Sequence, residues 1–111
     1  MVVAAGGFRY SQSSPLDTVQ IFDVDTETWR MSEQSLPDQL TYGAVVQLDD
    51  TFLIVGGKTA QNPALSSDRI LQFEPDSETW IERGERLALP RDSHMAVLVD
   101  ERPFIDAGLC Q

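Results

Sequence analysis

Cysteine is nearly absent from this chain of 111 residues: Cys110 stands alone beside the C-terminus. A single thiol excludes an internal disulfide and any multi-cysteine metal site, and reads as an incidental free thiol that fits a reducing compartment, the cytoplasm. Asparagine is as scarce, and Asn62 precedes Pro63, so there is no N-glycosylation acceptor. One histidine, His94, leaves no room for a nucleophile–histidine–carboxylate set repeated elsewhere in the chain. Basic residues number 8 against 18 acidic ones, for a net charge of −10. That balance repels a phosphate backbone and argues against nucleic acid as a partner. No apolar run approaches the length of a membrane span, so no membrane partner is expected. The opening Met1-Val2-Val3-Ala4-Ala5-Gly6-Gly7 lacks the basic flank and the apolar length of a secretion signal. Helical periodicity over ten or more residues is missing too, which leaves strands.

What is present is a repeat. Asp17-Thr18-Val19-Gln20-Ile21-Phe22-Asp23-Val24-Asp25-Thr26-Glu27-Thr28-Trp29 returns 51 positions later as Asp68-Arg69-Ile70-Leu71-Gln72-Phe73-Glu74-Pro75-Asp76-Ser77-Glu78-Thr79-Trp80, with six of thirteen positions identical. Gly6-Gly7 recurs as Gly56-Gly57, 50 positions on, and Leu36-Pro37 recurs as Leu89-Pro90. A period near fifty with one glycine pair and one tryptophan per unit is a propeller-blade period rather than a helical array.

Each unit reads as two hairpins. Ala44-Val45-Val46-Gln47-Leu48 and Phe52-Leu53-Ile54-Val55 flank the turn Asp49-Asp50-Thr51, and their continuous apolar character predicts the buried inner pair. Ile70-Leu71-Gln72-Phe73 and Trp80-Ile81 flank Pro75-Asp76-Ser77 as a more polar outer pair. The glycine pairs allow positive φ and close backbone approach where the second strand stops. Trp29 and Trp80, at one register per repeat, are predicted to pack between blades rather than to stack a ligand.

The glycine pair closing the second strand, the tryptophan on the fourth and the Leu-Pro before the next first strand together resemble the kelch repeat, over nearly the whole chain. The resemblance implies an all-β fold, a fragment of a kelch-type β-propeller built of four-stranded antiparallel blades. It divides the chain into an incomplete blade (strands two to four) at 1–35, a complete repeat at 36–88 and the start of a third at 89–111. That third unit would carry a first strand over Met95–Val99 and a second over Phe104–Ala107. Its end is degenerate, because Asp106-Ala107-Gly108-Leu109 stands where Ile54-Val55-Gly56-Gly57 stood. Propellers use four to eight blades, and about three repeats are needed to bury one another's faces. The chain is therefore expected to act with further kelch blades or by self-association.

Antiparallel blades place the turns between strands one and two at the same end as those between strands three and four. Asp49, Asp50, Asp100, Glu101, Asp23, Asp25, Glu27, Glu74, Asp76 and Glu78 fall there, with only Arg102 among them, for a charge of −9 that leaves −1 elsewhere. The opposite end receives Arg9 and Tyr10 after the first glycine pair, Lys58, Gln61 and Asn62 after the second, and Arg91, Asp92 and Ser93 after the second Leu-Pro. In kelch adaptors of ubiquitin ligases, loops after the glycine pair and after Leu-Pro contact acidic or polar peptides. Gly6-Gly7-Phe8-Arg9 and Leu89-Pro90-Arg91 resemble those positions, and arginine suits them because its planar fork grips carboxylates with two bonds. Arg9, Tyr10, Lys58, Asn62, Arg91 and Ser93 are thus the candidate ligand-binding residues; Gly6, Gly7, Gly56, Gly57, Trp29 and Trp80 are the structural signature.

Catalytic and cofactor patterns are missing. His94 falls at the start of a predicted first strand, a structural kelch position. Asp23-Val24-Asp25-Thr26-Glu27 alternates carboxylates as a calcium loop does, without that loop's glycine and closing glutamate. Neither GxGxxG nor GxxxxGK[ST] occurs. The expectation is a non-catalytic protein–protein interaction scaffold without a cofactor, of the substrate-recognition type found in ubiquitin-ligase adaptors, binding a protein or peptide. The alternative is a fragment of a kelch-propeller enzyme, of the oxidase or sugar-epimerase class, whose site needs residues from blades not in this chain.

Overall fold

The computed structural model describes residues 1–9, 11, 14–59 and 66–99. The elements that carry the fold are all β-strands. In chain order they are β1 (Val2–Ala5), β2 (Phe8–Arg9), β3 (Ser14–Pro15), β4 (Val19–Asp23), β5 (Thr28–Met31), β6 (Leu40–Thr41), β7 (Ala44–Leu48), β8 (Thr51–Val55), β9 (Lys58–Thr59), β10 (Ile70–Glu74) and β11 (Thr79–Glu82). Two larger sheets carry the fold. One is four-stranded in the order β11-β10-β8-β7, and the other three-stranded in the order β1-β4-β5, with antiparallel pairing throughout both. Short ladders β2-β3 and β6-β9 sit at the glycine-pair end.

The repeat is reproduced bond by bond. Gly6 donates to the Thr18 carbonyl and Gly7 to Leu40; Gly56 donates to Arg69 and Gly57 to Arg91, all at 2.8–3.0 Å. Ser32 donates to Val19 as Arg83 does to Ile70, and Leu36 to Asp17 as Leu87 does to Asp68. This register corrects one expectation. The counterpart of buried Leu36 is Leu87, so the two Leu-Pro pairs are offset by two residues, and Leu89 is 65% exposed. Chain geometry, not dipeptide identity, sets the equivalence: the bond to the aspartate carbonyl fixes where the connection turns back over the blade.

The 3–4 turns are built alike in both sheets. Asp23 and Thr28 pair across the first, and Glu74 and Thr79 across the second. Glu27 and Glu78 take left-handed backbone at φ 57° and 55°. In the first turn the Asp23 carboxylate accepts from the Asp25 and Thr26 amides at 2.9 and 3.3 Å, an Asx turn. Both bonds end on Oδ1, and Asp23–Thr28 closes a hairpin turn.

Val19, Ile21, Leu36, Leu40, Ile54 and Leu71 form one core fed by both sheets, with Val3, Ala5, Phe52 and Trp80 packed against it. Phe73, 1% exposed, stacks on Phe52 at 5.1 Å between ring centres and lies 5.1 Å from Trp80. Full burial of such a ring contributes ~1.5–3 kcal/mol. The deepest strands are thus β4 and β10, which are central in their sheets. The inner hairpin is less buried than its apolar run predicts, because β7 is an edge strand and leaves Val45 60% exposed.

The two tryptophans part company. Trp80 packs edge-on to Phe52 at 5.6 Å and joins the core, whereas Trp29 is 54% exposed and touches Phe22 of its own hairpin. Val2 stands in the first sheet where Phe52 stands in the second, so Trp29 lacks the aromatic neighbour two strands away that Trp80 has. Met95–Val99, expected as a first strand, joins no ladder among the described residues, and Met95, Val97, Leu98 and Val99 are all exposed. Phe104–Ala107 and Cys110 lie outside the described residues.

Candidate interaction surface

Each glycine pair turns the chain out of the second strand and starts a short ladder at one end of its sheet. Gly7 leads into β2, where Phe8 pairs with Pro15 and Arg9 with Ser14. Gly57 leads into β9, where Lys58 pairs with Thr41 and Thr59 with Leu40. Leu16 bridges to Leu40 and Lys58 to Ser66, which ties the loops of the two sheets together.

Arg91 occupies the backbone position of Leu40. Its amide donates to Ser67 at 3.1 Å and its carbonyl accepts from Gly57 at 2.8 Å, the bonds that Leu40 makes with Leu16 and Gly7. Where the Leu40 side chain is buried, the Arg91 side chain is exposed. A fixed backbone thus carries a solvent-facing guanidinium. Ser93 follows in left-handed backbone (φ 52°) and donates its amide to the Tyr42 carbonyl at 2.9 Å; Tyr42 holds the same conformation at φ 60° one repeat earlier.

Between them, Asp92 accepts hydrogen bonds from the Ser66 and Ser93 hydroxyls. The Ser66 bond first, then that of Ser93, and the charges of Lys58 and His94 hold its carboxyl below the ordinary range. Lys58, Ser66, Arg91, Asp92 and Ser93 therefore form one cluster. Arg9 lies on the neighbouring β2-β3 hairpin, exposed. Tyr10, Gln61 and Asn62 lie outside the described residues. Ser66 was not singled out by its sequence context, since nothing local marks it; the pairing of Lys58 with Ser66 is what brings its hydroxyl to Asp92. His94 packs its ring against Gly56, 2.7 Å from where a Cβ would stand there, and neither ring nitrogen has a hydrogen-bond partner among the described residues.

The arginines sort by position. Arg30 forms a two-bond pair with Glu78 across the two sheets, one bond at 3.0 Å. Arg69 pairs with Glu82, Arg83 with Glu85, and Arg86 with Asp68 and Glu82. These pairs hold Arg30, Arg83 and Arg86 above their ordinary pKa and Glu78 below its own. Arg9, Lys58 and Arg91 make no ion pair among the described residues, and all three belong to the glycine-pair end. The first kind of turn, Asp49-Asp50, meets Pro75 of the second kind around a shared cleft at the other end. Among the described residues, the cations without an ion pair and the turn carboxylates are thus at opposite ends of the blades, with Asp92 beside Lys58 at the glycine-pair end. Among the described residues no cluster of three His, Cys, Asp or Glu is placed to hold a metal, and no helix is long and apolar enough to cross a membrane.

A repeated antiparallel sheet of second, third and fourth strands, joined in the second unit by a first, defines a blade-type all-β repeat protein. Residues 1–32 match the Kelch motif, and the antiparallel sheets have the form of a kelch-type propeller fragment, about two repeats long. The chain is 27% identical over 111 residues to spermatocyte protein spe-26 of Caenorhabditis elegans, covering 97% of this chain and 18% of that protein. It is 30% identical over 74 residues to the Kelch repeat and BTB domain-containing protein 12 of Danio rerio, covering 61% of this chain and 12% of that protein. The chain thus spans less than a fifth of the length of these relatives.

Proposed function

We propose that the chain is a non-catalytic interaction scaffold whose glycine-pair end takes an acidic or polar peptide of a partner protein. Kelch repeats generally mediate protein–protein interaction, which supports the broad reading. The finer reading is carried by one observation: Arg9, Lys58 and Arg91 at that end have no ion pair among the described residues, while Arg30, Arg69, Arg83 and Arg86 all do. An unpaired, backbone-anchored guanidinium loses little freedom when it grips a carboxylate with two bonds. The Ser66 and Ser93 hydroxyls already satisfy Asp92, so its charge is partly engaged within the protein. The Danio rerio relative is named for a BTB domain beside its kelch repeats, which favours a substrate-recognition role of the ubiquitin-ligase adaptor type.

Arg9→Ala combined with Arg91→Ala tests this reading. Against a library of acidic peptides, isothermal titration should show binding by the native chain and at least a tenfold loss in the double variant, with an unchanged melting temperature. Undiminished affinity in the double variant refutes the assignment of this end. Binding should also weaken with added salt, since the contacts are exposed ion pairs.

A further inference from the structure

Two serine hydroxyls at the glycine-pair end have their protons committed to one carboxylate. Ser66 donates to Oδ2 of Asp92 and Ser93 donates to Oδ1, so each carboxylate oxygen takes one hydroxyl proton. A serine hydroxyl has a single proton to give and two lone pairs to offer. With that proton turned onto Asp92, each hydroxyl keeps only acceptor capacity toward anything arriving from solvent.

The backbone holds this arrangement in place. Ser66 bridges to Lys58 of β9. Arg91 is fixed by its bonds to Ser67 and Gly57, and Ser93 by its amide bond to the Tyr42 carbonyl, so Asp92 is anchored on both sides. The bonds from Ser66 and then Ser93, together with the Lys58 and His94 charges, hold its carboxyl below the ordinary range. Asp92 is therefore ionised at neutral pH, and the two hydroxyls stay turned toward it. Arg91 and Ser93, which flank Asp92 in the chain, are both exposed. Arg91 makes no ion pair among the described residues.

A ligand at this surface meets two demands: an anionic group for the guanidinium and a hydrogen-bond donor for the serine oxygens. A phosphoryl group meets only the first. It carries a charge of about −1.5 to −2 and accepts through three oxygens. Against Ser66 and Ser93 it would set acceptor on acceptor, and its charge would oppose that of Asp92. A carboxylate carries one charge, and the residue beside it can be an amide donor.

We propose that Asp92 sets the specificity of this end: by making acceptors of Ser66 and Ser93, it selects peptides in which Asp or Glu stands beside an uncharged donor such as Gln or Asn, and disfavours phosphorylated ones. The proposal rests on the peptide-binding reading and names the class of peptide taken. Asp92 acts through the two serines, as a positioning residue. Asp92→Asn keeps its shape and removes its charge. The new amide then donates to one of the hydroxyls, which frees that serine's proton for a ligand.

Short glycine–alanine peptides carrying Glu-Gln, Glu-Ala or phosphoserine-Ala at the centre test this, by fluorescence anisotropy against the whole chain. The native chain should bind Glu-Gln about fivefold more tightly than Glu-Ala, the worth of one net hydrogen bond, and phosphoserine-Ala least. Asp92→Asn should lose that preference and gain about tenfold for phosphoserine-Ala, because a freed hydroxyl now donates to an anion. Ser66→Ala with Ser93→Ala, which leaves Asp92 in place, should abolish the preference for Glu-Gln over Glu-Ala. A merely structural Asp92 would weaken all three peptides together instead of reordering them. A native chain that prefers phosphoserine, or an order of affinities unchanged in Asp92→Asn, overturns the role of Asp92 and leaves the peptide-binding reading standing. Failure of all three peptides to bind the native chain overturns that reading, and this one with it.

Discussion

The first glycine pair allows steric and conformational costs to be separated at adjacent residues. Gly6 sits at φ 70° and Gly7 at φ 106°, so alanine is strained at both, by ~1–3 kcal/mol. Only Gly6 is also enclosed. A Cβ there would lie 2.6 Å from the Leu40 carbonyl oxygen and 3.2 Å from the Leu36 side chain, whereas one on Gly7 meets nothing within 4 Å. Backbone cannot yield as a flexible side-chain tip can, so Gly6→Ala must push Leu40 away. That carbonyl accepts from Gly7 at 2.8 Å, a bond worth ~0.5–1.5 kcal/mol. Leu40 itself is 7% exposed in the core shared by the two sheets, and part of its ~1.5–3 kcal/mol of burial is forfeited as well. Gly6→Ala should therefore cost ~2 kcal/mol more than Gly7→Ala. With a urea dependence of ~1–3 kcal/mol per molar for small domains, the two unfolding midpoints should differ by ~0.7–2 M at equal protein concentration. Equal midpoints, or a lower one for Gly7→Ala, would refute the argument that close backbone approach is what requires glycine in this repeat.

Three further outcomes follow from the packing and the charges. Trp80→Ala should destabilise by ~3–5 kcal/mol as a core ring, while Trp29→Ala, removing a ring 54% exposed, should cost ~1 kcal/mol or less; chemical denaturation of both variants reads the difference, and equal losses would place Trp29 in an interface. Tyr42 holds φ 60° with its side chain 51% exposed, so Tyr42→Gly should raise stability by up to ~1 kcal/mol, and a clear loss in thermal melts would show that the ring is held by contacts. Glu85 is lowered from 4.5 to about 2, first by its hydrogen bonds from Arg83, and Glu78 is lowered by Arg30. Both folded values lie below the unfolded ones, so their stabilisation is complete above the ordinary carboxylate range and is lost as pH falls from there toward about 2. Melting temperatures measured between pH 6 and 2 should show a decline that Glu78→Gln and Glu85→Gln make shallower; an unchanged slope would show that these exposed pairs contribute nothing.

The repeat and the strands of the two blade sheets could be read in the sequence, because they depend on local signals: apolar runs, Asp-rich turns and a glycine pair where the backbone reverses; the first strand expected over Met95–Val99 joins no ladder among the described residues. The asymmetry between copies could not be read there. Trp29 and Trp80 have the same local sequence, Glu-Thr-Trp, but Val2 and Phe52, on another strand, give them different neighbours. Leu89-Pro90 repeats Leu36-Pro37 in letters but not in place, since the bond from Leu87 to the Asp68 carbonyl fixes the register two residues earlier. Arg91 was identifiable as a loop cation, yet its value for binding depends on the backbone bonds to Ser67 and Gly57 and on the carboxylates that pair with other arginines. The sequence by itself determined that this is a blade-repeat chain with carboxylates gathered at one end. Tertiary structure alone decided which cations lack an ion pair among the described residues, because ion pairs are settled by residues far apart in the chain.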